Sequence, residues 1–333
     1  MDRSVQPYRP AVGFERVLAD VRRLGNPLDC LTAETAPALW LQREMLSRKM
    51  VSRIAVGEIQ DTFVCGRNHA IPIRLYAPVG RTLVQQVRLP VILYYHGGGW
   101  TLGSIAAYDS LCRFFANHVS AIVISVDYRL APEHPYPAAL VDARLALEWT
   151  IRNADRFAFD LDRVMLAGDS AGATLATVIA RKARKDGIAI AAESLFYPSV
   201  DIGHAEYPSY AQYDTGFWLT RKAAEAFRRF YLPDPKDWSD PDACPLLAPG
   251  DDLSMLPPTL VLACGCDVLR DEAMEYARRL RKLGVRVVDR LEETMIHACL
   301  GFYNNGVYPE ASACVEPLLD SLADQMRLML GDR

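Results

Sequence analysis

The stretch Val164-Met165-Leu166-Ala167-Gly168-Asp169-Ser170-Ala171-Gly172 decides how this chain is read. An apolar run stops at a glycine, a serine follows two positions on, and small residues at Ala173, Ala176 and Ala180, with Leu175 and Ile179, begin a helical pattern at once. Gly-x-Ser-x-Gly between a strand and a helix serves a sharp turn that strains the serine backbone and lifts its hydroxyl above the sheet edge. The flanking glycines let strand and helix approach without Cβ clashes. Ser170 is the nucleophile such a turn presents. Glycine and serine are common residues, so the five-residue pattern alone does not decide the matter.

Upstream, Pro90-Val-Ile-Leu-Tyr-Tyr95 reads as a short strand buried on both faces. It runs into His96-Gly97-Gly98-Gly99-Trp100. Successive glycines let backbone N–H groups point at a reacting carbonyl, and donors fixed before reaction stabilise the oxyanion of a tetrahedral intermediate. A phosphate-binding loop is the other use of such a run, but it would end in Gly-Lys-Ser/Thr, absent here. Ser104 is suited to cap a helix running to about Asn117. Residues 121–126 form another buried strand. They lead to Asp127-Tyr-Arg-Leu-Ala-Pro-Glu133-His-Pro-Tyr-Pro137, whose prolines and charges suit a rigid loop bracing the glycine loop. A helix over about 138–153 precedes the Ser170 strand.

The segment before the glycine loop divides into two helices, about 14–24 and 37–50, and an antiparallel pair of strands drawn from residues 54–63 and 71–76. Downstream, residues 189–197 give a further strand. Alternating strands and helices of this kind build a mostly parallel sheet with right-handed crossovers, an α/β architecture. The alternation breaks over residues 201–255, which are rich in proline, tyrosine and aspartate and carry one helix, about 220–231. Phe217, Trp218, Phe227, Phe230 and Tyr231 give this excursion an apolar side that serves as its own core or lines a substrate pocket. The domain organisation read from this pattern is a core of residues 51–200 and 256–333 under a cap made of residues 1–50 and 201–255. The sheet resumes at 258–263, releases the chain at Asp267, continues through a helix over 271–283 and a last strand over 285–291, and ends in a helix over 309–330.

With 333 residues, 50% of them hydrophobic, the chain buries a large core. A net charge of -4 with both signs interspersed offers no basic face to nucleic acid and no polybasic arm to a membrane surface. The first ten residues lack the apolar stretch of a signal peptide, and no apolar run approaches the roughly 20 residues that span a bilayer. A cytoplasmic protein with a small-molecule partner is expected, its oligomeric state left open. Eight cysteines scattered among apolar neighbours fit reduced, buried thiols rather than a disulfide frame. Cys264-Gly-Cys266 has no second Cys/His pair at ligand spacing, so no metal is expected.

Ser170, Asp267 and His297 each lie just past the carboxyl end of an expected strand, where an open parallel sheet binds its ligands. A serine hydroxyl becomes a nucleophile near neutral pH when a histidine takes its proton, and the histidine needs a carboxylate to fix its tautomer. Ser, Asp, His is the chain order this strand-turn-helix arrangement uses. Asp271 is a rival for the acid, and Asp267 could serve only as a helix cap. Of the six histidines, His69 and His118 are poorly placed, His96 and His134 belong to the bracing loops, and His204 lies in the cap.

His-Gly-Gly-Gly-Trp, Asp-Tyr-Arg-Leu-Ala-Pro-Glu, Gly-Asp-Ser-Ala-Gly, Asp267-Val-Leu-Arg-Asp-Glu272 and Met295-Ile-His297, taken together and in this order, resemble the hormone-sensitive-lipase-like esterases of the α/β-hydrolase fold. The segment from Trp218 to Leu232 is similar to the bacterial acetyl esterase branch. The resemblance implies a carboxylic ester hydrolase without cofactor or metal, acting on short acyl chains. It places nucleophile, acid and base on Ser170, Asp267 and His297, and oxyanion donors on the amides of Gly98, Gly99 and Ala171. Gly97, Trp100, Asp169, Phe217 and Trp218 are expected to bind substrate. The chain departs from the family in having Val268 after the triad aspartate and Ala298-Cys299 after the histidine, where proline and Gly-Phe are common. Two rivals remain: an amidase or peptidase using the same triad, and a ligand-binding receptor on a hydrolase scaffold. Gibberellin receptors, which resemble this family, lack the triad histidine that this chain retains.

Overall fold

The computed structural model describes residues 7–49, 52, 54–202 and 206–331. Its centre is one eight-stranded sheet: β1 (Glu58–Cys65), β2 (Ala70–Ala77), β3 (Leu89–Tyr95), β4 (Ile122–Val126), β5 (Phe159–Asp169), β6 (Ala192–Phe196), β7 (Thr259–Cys266) and β8 (Val287–Ile296), in the order β1-β2-β4-β3-β5-β6-β7-β8. β2 pairs antiparallel with β1 and β4, and every pair from β4 to β8 is parallel. The helices are α1 (Glu15–Leu24), α2 (Ala36–Lys49), α3 (Asp109–Val119), α4 (Ala138–Arg152), α5 (Ala171–Lys185), α6 (Pro208–Gln212), α7 (Arg221–Tyr231), α8 (Gly250–Ser254), α9 (Arg270–Lys282) and α10 (Pro309–Met329).

β3, β4, β6 and β7 are buried along their whole lengths, as strands of a parallel sheet covered on both faces should be. Strand alternation then sorts the side chains between two cores. Val91, Leu93 and Tyr95 of β3 face one cluster with α4, α5 and α9, while Ile92 and Tyr94 face the other with α3 and α10. The small residues of α5 bring it close to the sheet. A Cβ on Gly172 would lie 2.0 Å from the Tyr95 carbonyl oxygen, so only glycine permits this approach.

Several expectations are corrected. Residues 54–56 lie outside any strand, because their carbonyls are taken by side chains: Ile54 by Arg113 and Ala55 by Asn117. The helix expected from Ser104 begins only at Asp109. Ser104 Oγ accepts from the Ala107 amide and so caps a local turn, while its hydroxyl donates to Glu44. β8 continues to Ile296, past the expected end at 291, since a strand at the sheet edge tolerates the exposed Glu293 and Thr294. The excursion carries α6 and α8 as well as α7. Cys30 and Cys65 are exposed, although all eight cysteines are free thiols. Met50 and His204 lie outside the described residues.

Glu193 of β6 is fully buried, its Oε1 accepting from the hydroxyls of Thr259 (2.8 Å) and Thr177 (3.3 Å), with no partner for Oε2 among the described residues. Burial pushes its carboxyl up from the ordinary 4.5 to about 7. The folded state therefore holds a proton that the unfolded chain has already released. Its contribution to stability is full below about pH 4.5 and is lost as pH rises through about 7. Between about pH 5 and about pH 8 the loss is roughly 2–3 kcal/mol. Glu193→Gln should flatten this dependence: it should unfold at higher temperature than wild type at about pH 8 and nearly equally at about pH 5. Parallel profiles for the two proteins would contradict the assignment.

Candidate active site

β5 ends at Asp169 and α5 starts at Ala171, so Ser170 alone makes the turn, at φ 53 and ψ -121. Such a conformation costs a non-glycine residue on the order of 1–3 kcal/mol and persists only where the surroundings enforce it. Here the Ser170 amide donates to the Phe196 carbonyl at 2.8 Å. Ser170 Oγ lies 3.0 Å from His297 Nε2, and His297 Nδ1 lies 2.7 Å from Asp267 Oδ2. A carboxylate only accepts, so Nδ1 carries the proton, and the neutral ring accepts the serine hydroxyl at Nε2. The second Asp267 oxygen accepts from the Leu269 amide at 2.9 Å, which fixes the carboxylate plane. Asp271, the rival acid, is engaged instead by the Ser209 amide and Arg270. All three residues are buried, and Ser170 and His297 open onto a cavity of about 610 Å³.

The glycine loop follows β3. Gly98, Gly99 and Trp100 all take positive φ, at 114, 62 and 56. A Cβ on Gly99 would meet Phe227 at 2.2 Å. The Gly97 amide donates to Asp169 Oδ1 at 2.8 Å, and the Gly98 carbonyl accepts from Thr101 and Leu102. Among the described residues no hydrogen bond occupies the amides of Gly98 and Gly99. Ala171 opens α5, where amides have no acceptor within the helix. The 127–137 loop braces this arrangement. Tyr128 donates to the His96 carbonyl at 2.5 Å and stacks on its ring at 4.3 Å, and the Ala131 amide donates to the Trp100 carbonyl at 2.8 Å. Burial pushes the His96 imidazole down to about 4 and keeps it neutral.

Phe217 does not occupy the position expected of a substrate-binding side chain, whereas Asp169 lines the cavity with its carboxylate already engaged. The Asp169 carboxylate accepts from Tyr94, Tyr108 and the Gly97 amide, each within 2.9 Å, so its oxygens hold the glycine loop. Burial pushes its carboxyl up to about 6. The Phe217 ring packs edge-on against Tyr213 at 5.0 Å, off the cavity wall. Gly97, Trp100, Asp169 and Trp218 do line the cavity. Much of the wall carried no signal in the sequence, Leu28, Trp40 of α2, Tyr108 and Phe302 among it. Tyr197, with φ 38, places its ring 5.1 Å from His297, a position marked in the sequence only by the proline that follows it. Ala298 lines the cavity beside His297 with φ 58, a left-handed residue where glycine would be unstrained.

The N-terminal segment and the 201–255 excursion meet over the site. Asn26 donates to the Trp218 carbonyl at 2.9 Å, and the Thr220 hydroxyl donates to Asp29. Among the described residues no cluster of His, Cys, Asp and Glu is arranged to hold a metal ion. No helix among them is long and apolar enough to cross a membrane.

A family model described as the α/β-hydrolase fold matches residues 92–301. Esterase LipI of Mycobacterium tuberculosis is 40% identical over 257 residues, which cover 76% of this chain and 78% of that protein. An arylesterase of Saccharolobus solfataricus is 34% identical, with 77% of this chain and 81% of that protein covered. The solved structure of a hyperthermophilic esterase from Pyrobaculum calidifontis superposes with a TM-score of 0.85 at 33% identity, covering 96% of this chain and 99% of that one.

Proposed function

The chain belongs to the α/β-hydrolase fold as a hormone-sensitive-lipase-like esterase, a serine carboxylester hydrolase, and from that premise we propose that it cleaves esters of short acyl chains with Ser170, His297 and Asp267. The observation that supports this reading is the continuous hydrogen-bond path from hydroxyl to imidazole to carboxylate, 3.0 Å and then 2.7 Å. As Ser170 Oγ attacks the carbonyl carbon, His297 Nε2 takes its proton, and Asp267 stabilises the imidazolium. The developing oxyanion is received by the amides of Gly98, Gly99 and Ala171. His297 then gives its proton to the departing alkoxide. Water repeats the sequence on the acyl group and restores Ser170.

The substrate in this reading is a small-molecule ester, bound in the apolar cavity between Trp100, Trp218 and Phe227. No cofactor enters any step. Eight free thiols support a cytoplasmic site of action, since reducing compartments keep cysteines in that state. A fluorophosphonate should label Ser170, and nitrophenyl esters from acetyl to dodecanoyl should be hydrolysed fastest at the short end. Labelling elsewhere, or faster turnover of a matched anilide than of the ester, would replace this reading with another.

A further inference from the structure

We propose that Tyr231 is a positioning residue for the reaction: its ring, stacked on Trp100, holds the glycine loop in the shape that presents the Gly98 and Gly99 amides to the oxyanion. The proposal rests on the reading of those amides as oxyanion donors. Trp100 is the third consecutive residue with positive φ and the only one of the three that carries a side chain. Such a backbone relaxes unless its surroundings enforce it. Two contacts do so. The Ala131 amide holds the Trp100 carbonyl at 2.8 Å, and the indole lies flat on the Tyr231 ring, with centroids 4.3 Å apart and planes 5° from parallel.

Tyr231 is itself held firmly. It is the last residue of α7, almost fully buried, and its carbonyl accepts from the Tyr136 amide at 2.8 Å. The Tyr136 ring closes against it edge-on at 5.7 Å. One turn earlier, Phe227 covers Gly99. α7 thus presses on two adjacent residues of the glycine loop through two rings on one helical face. Neither the Trp100 indole nitrogen nor the Tyr231 hydroxyl has a hydrogen-bond partner among the described residues, so ring contact alone joins the pair. Trp100 lines the cavity and Tyr231 does not. The Tyr231 side chain therefore acts on substrate through the ring it stacks on, and the kcat-against-KM split separates this from a shift of the α7 residues Phe227 and Arg228 that line the cavity themselves.

The test compares wild type, Tyr231→Phe and Tyr231→Leu, with active sites counted by fluorophosphonate titration so that unfolded protein is not scored. Each is assayed for kcat and KM and for inhibition by a trifluoromethyl ketone and its methyl ketone counterpart. In the fluorinated inhibitor Ser170 Oγ bonds to the carbonyl carbon, its proton passes to His297 Nε2, and the carbonyl π pair moves to oxygen as an oxyanion. Complete loss of one donor costs about a hundred- to a thousandfold, so a displaced but present donor should cost about tenfold or more. Tyr231→Leu should lower kcat per titrated site by about that factor with KM little changed, and shrink the preference for the trifluoromethyl ketone equally. Tyr231→Phe should match wild type in both. If Tyr231→Leu does not fold, Tyr231→Met carries the same expectation.

An unchanged kcat and inhibitor preference in the aliphatic variant would overturn the proposal. So would a loss in Tyr231→Phe as large as in Tyr231→Leu, or a shift confined to KM. A wild type that binds the two ketones equally would overturn the oxyanion reading itself, and this proposal with it.

Discussion

Ser170→Ala should lower kcat for a short nitrophenyl ester by about a million-fold, which corresponds to roughly 8 kcal/mol of transition-state stabilisation. The size follows from the three residues working as one unit. Without Oγ no acyl-enzyme forms, and His297 Nε2, 3.0 Å from that atom, has no proton to take. Residual activity should remain well above the uncatalysed rate, because the amides of the glycine loop and the cavity still bind an ester. The fold should survive, since the Ser170 amide keeps its bond to Phe196 and alanine meets the same backbone strain as serine. A variant retaining activity within a few fold of wild type, measured on protein free of contaminating esterase, would remove Ser170 from the mechanism.

Asp267→Asn should cost about ten-thousandfold in kcat, and the structure indicates why the amide is no substitute. The Leu269 amide donates to Asp267 Oδ1 at 2.9 Å and requires an acceptor there. An asparagine satisfies it only by turning its oxygen toward Leu269 and its NH₂ toward His297 Nδ1. The imidazole must then accept at Nδ1 and carry its proton on Nε2, where it faces the serine hydroxyl instead of receiving that hydroxyl's proton. Asp271→Asn is the matched control. Its carboxylate serves Ser209 and Arg270, so kcat per folded molecule should change little. Losses in the opposite order would assign the acid to Asp271.

The mostly parallel sheet and the three residues that meet in one hydrogen-bonded path were legible in the sequence because each carries a local signal. A buried parallel strand reads as an apolar run, and Ser170 and Asp267 each follow one, while His297 follows the mixed edge strand β8. The 127–137 loop was also readable as a brace, from its prolines and paired charges, and Tyr128 and Ala131 hold the glycine loop as that reading requires. The cavity wall was legible only in part. Trp40 and Leu28 lie far in sequence from Ser170, and nothing local distinguishes an aromatic that reaches the site from one that turns away. Phe217 and Trp218 illustrate this: they are adjacent, yet only the second lines the cavity. The second role of Asp169, holding the glycine loop, was hidden for a related reason. Its neighbour is the nucleophile, but the two tyrosines that claim its oxygens come from β3 and from just before α3, and their pairing appears only in three dimensions.

The bonds from Asn26 to the Trp218 carbonyl and from Thr220 to Asp29 bear on how this enzyme can be re-engineered. Grafting the 201–255 segment of another esterase onto this sheet, while keeping the native first fifty residues, would strand Asn26 and Asp29 opposite foreign surfaces. A successful chimera must transplant both segments together, and breeding new selectivity by shuffling homologous genes should therefore recover crossovers that inherit the two from the same parent.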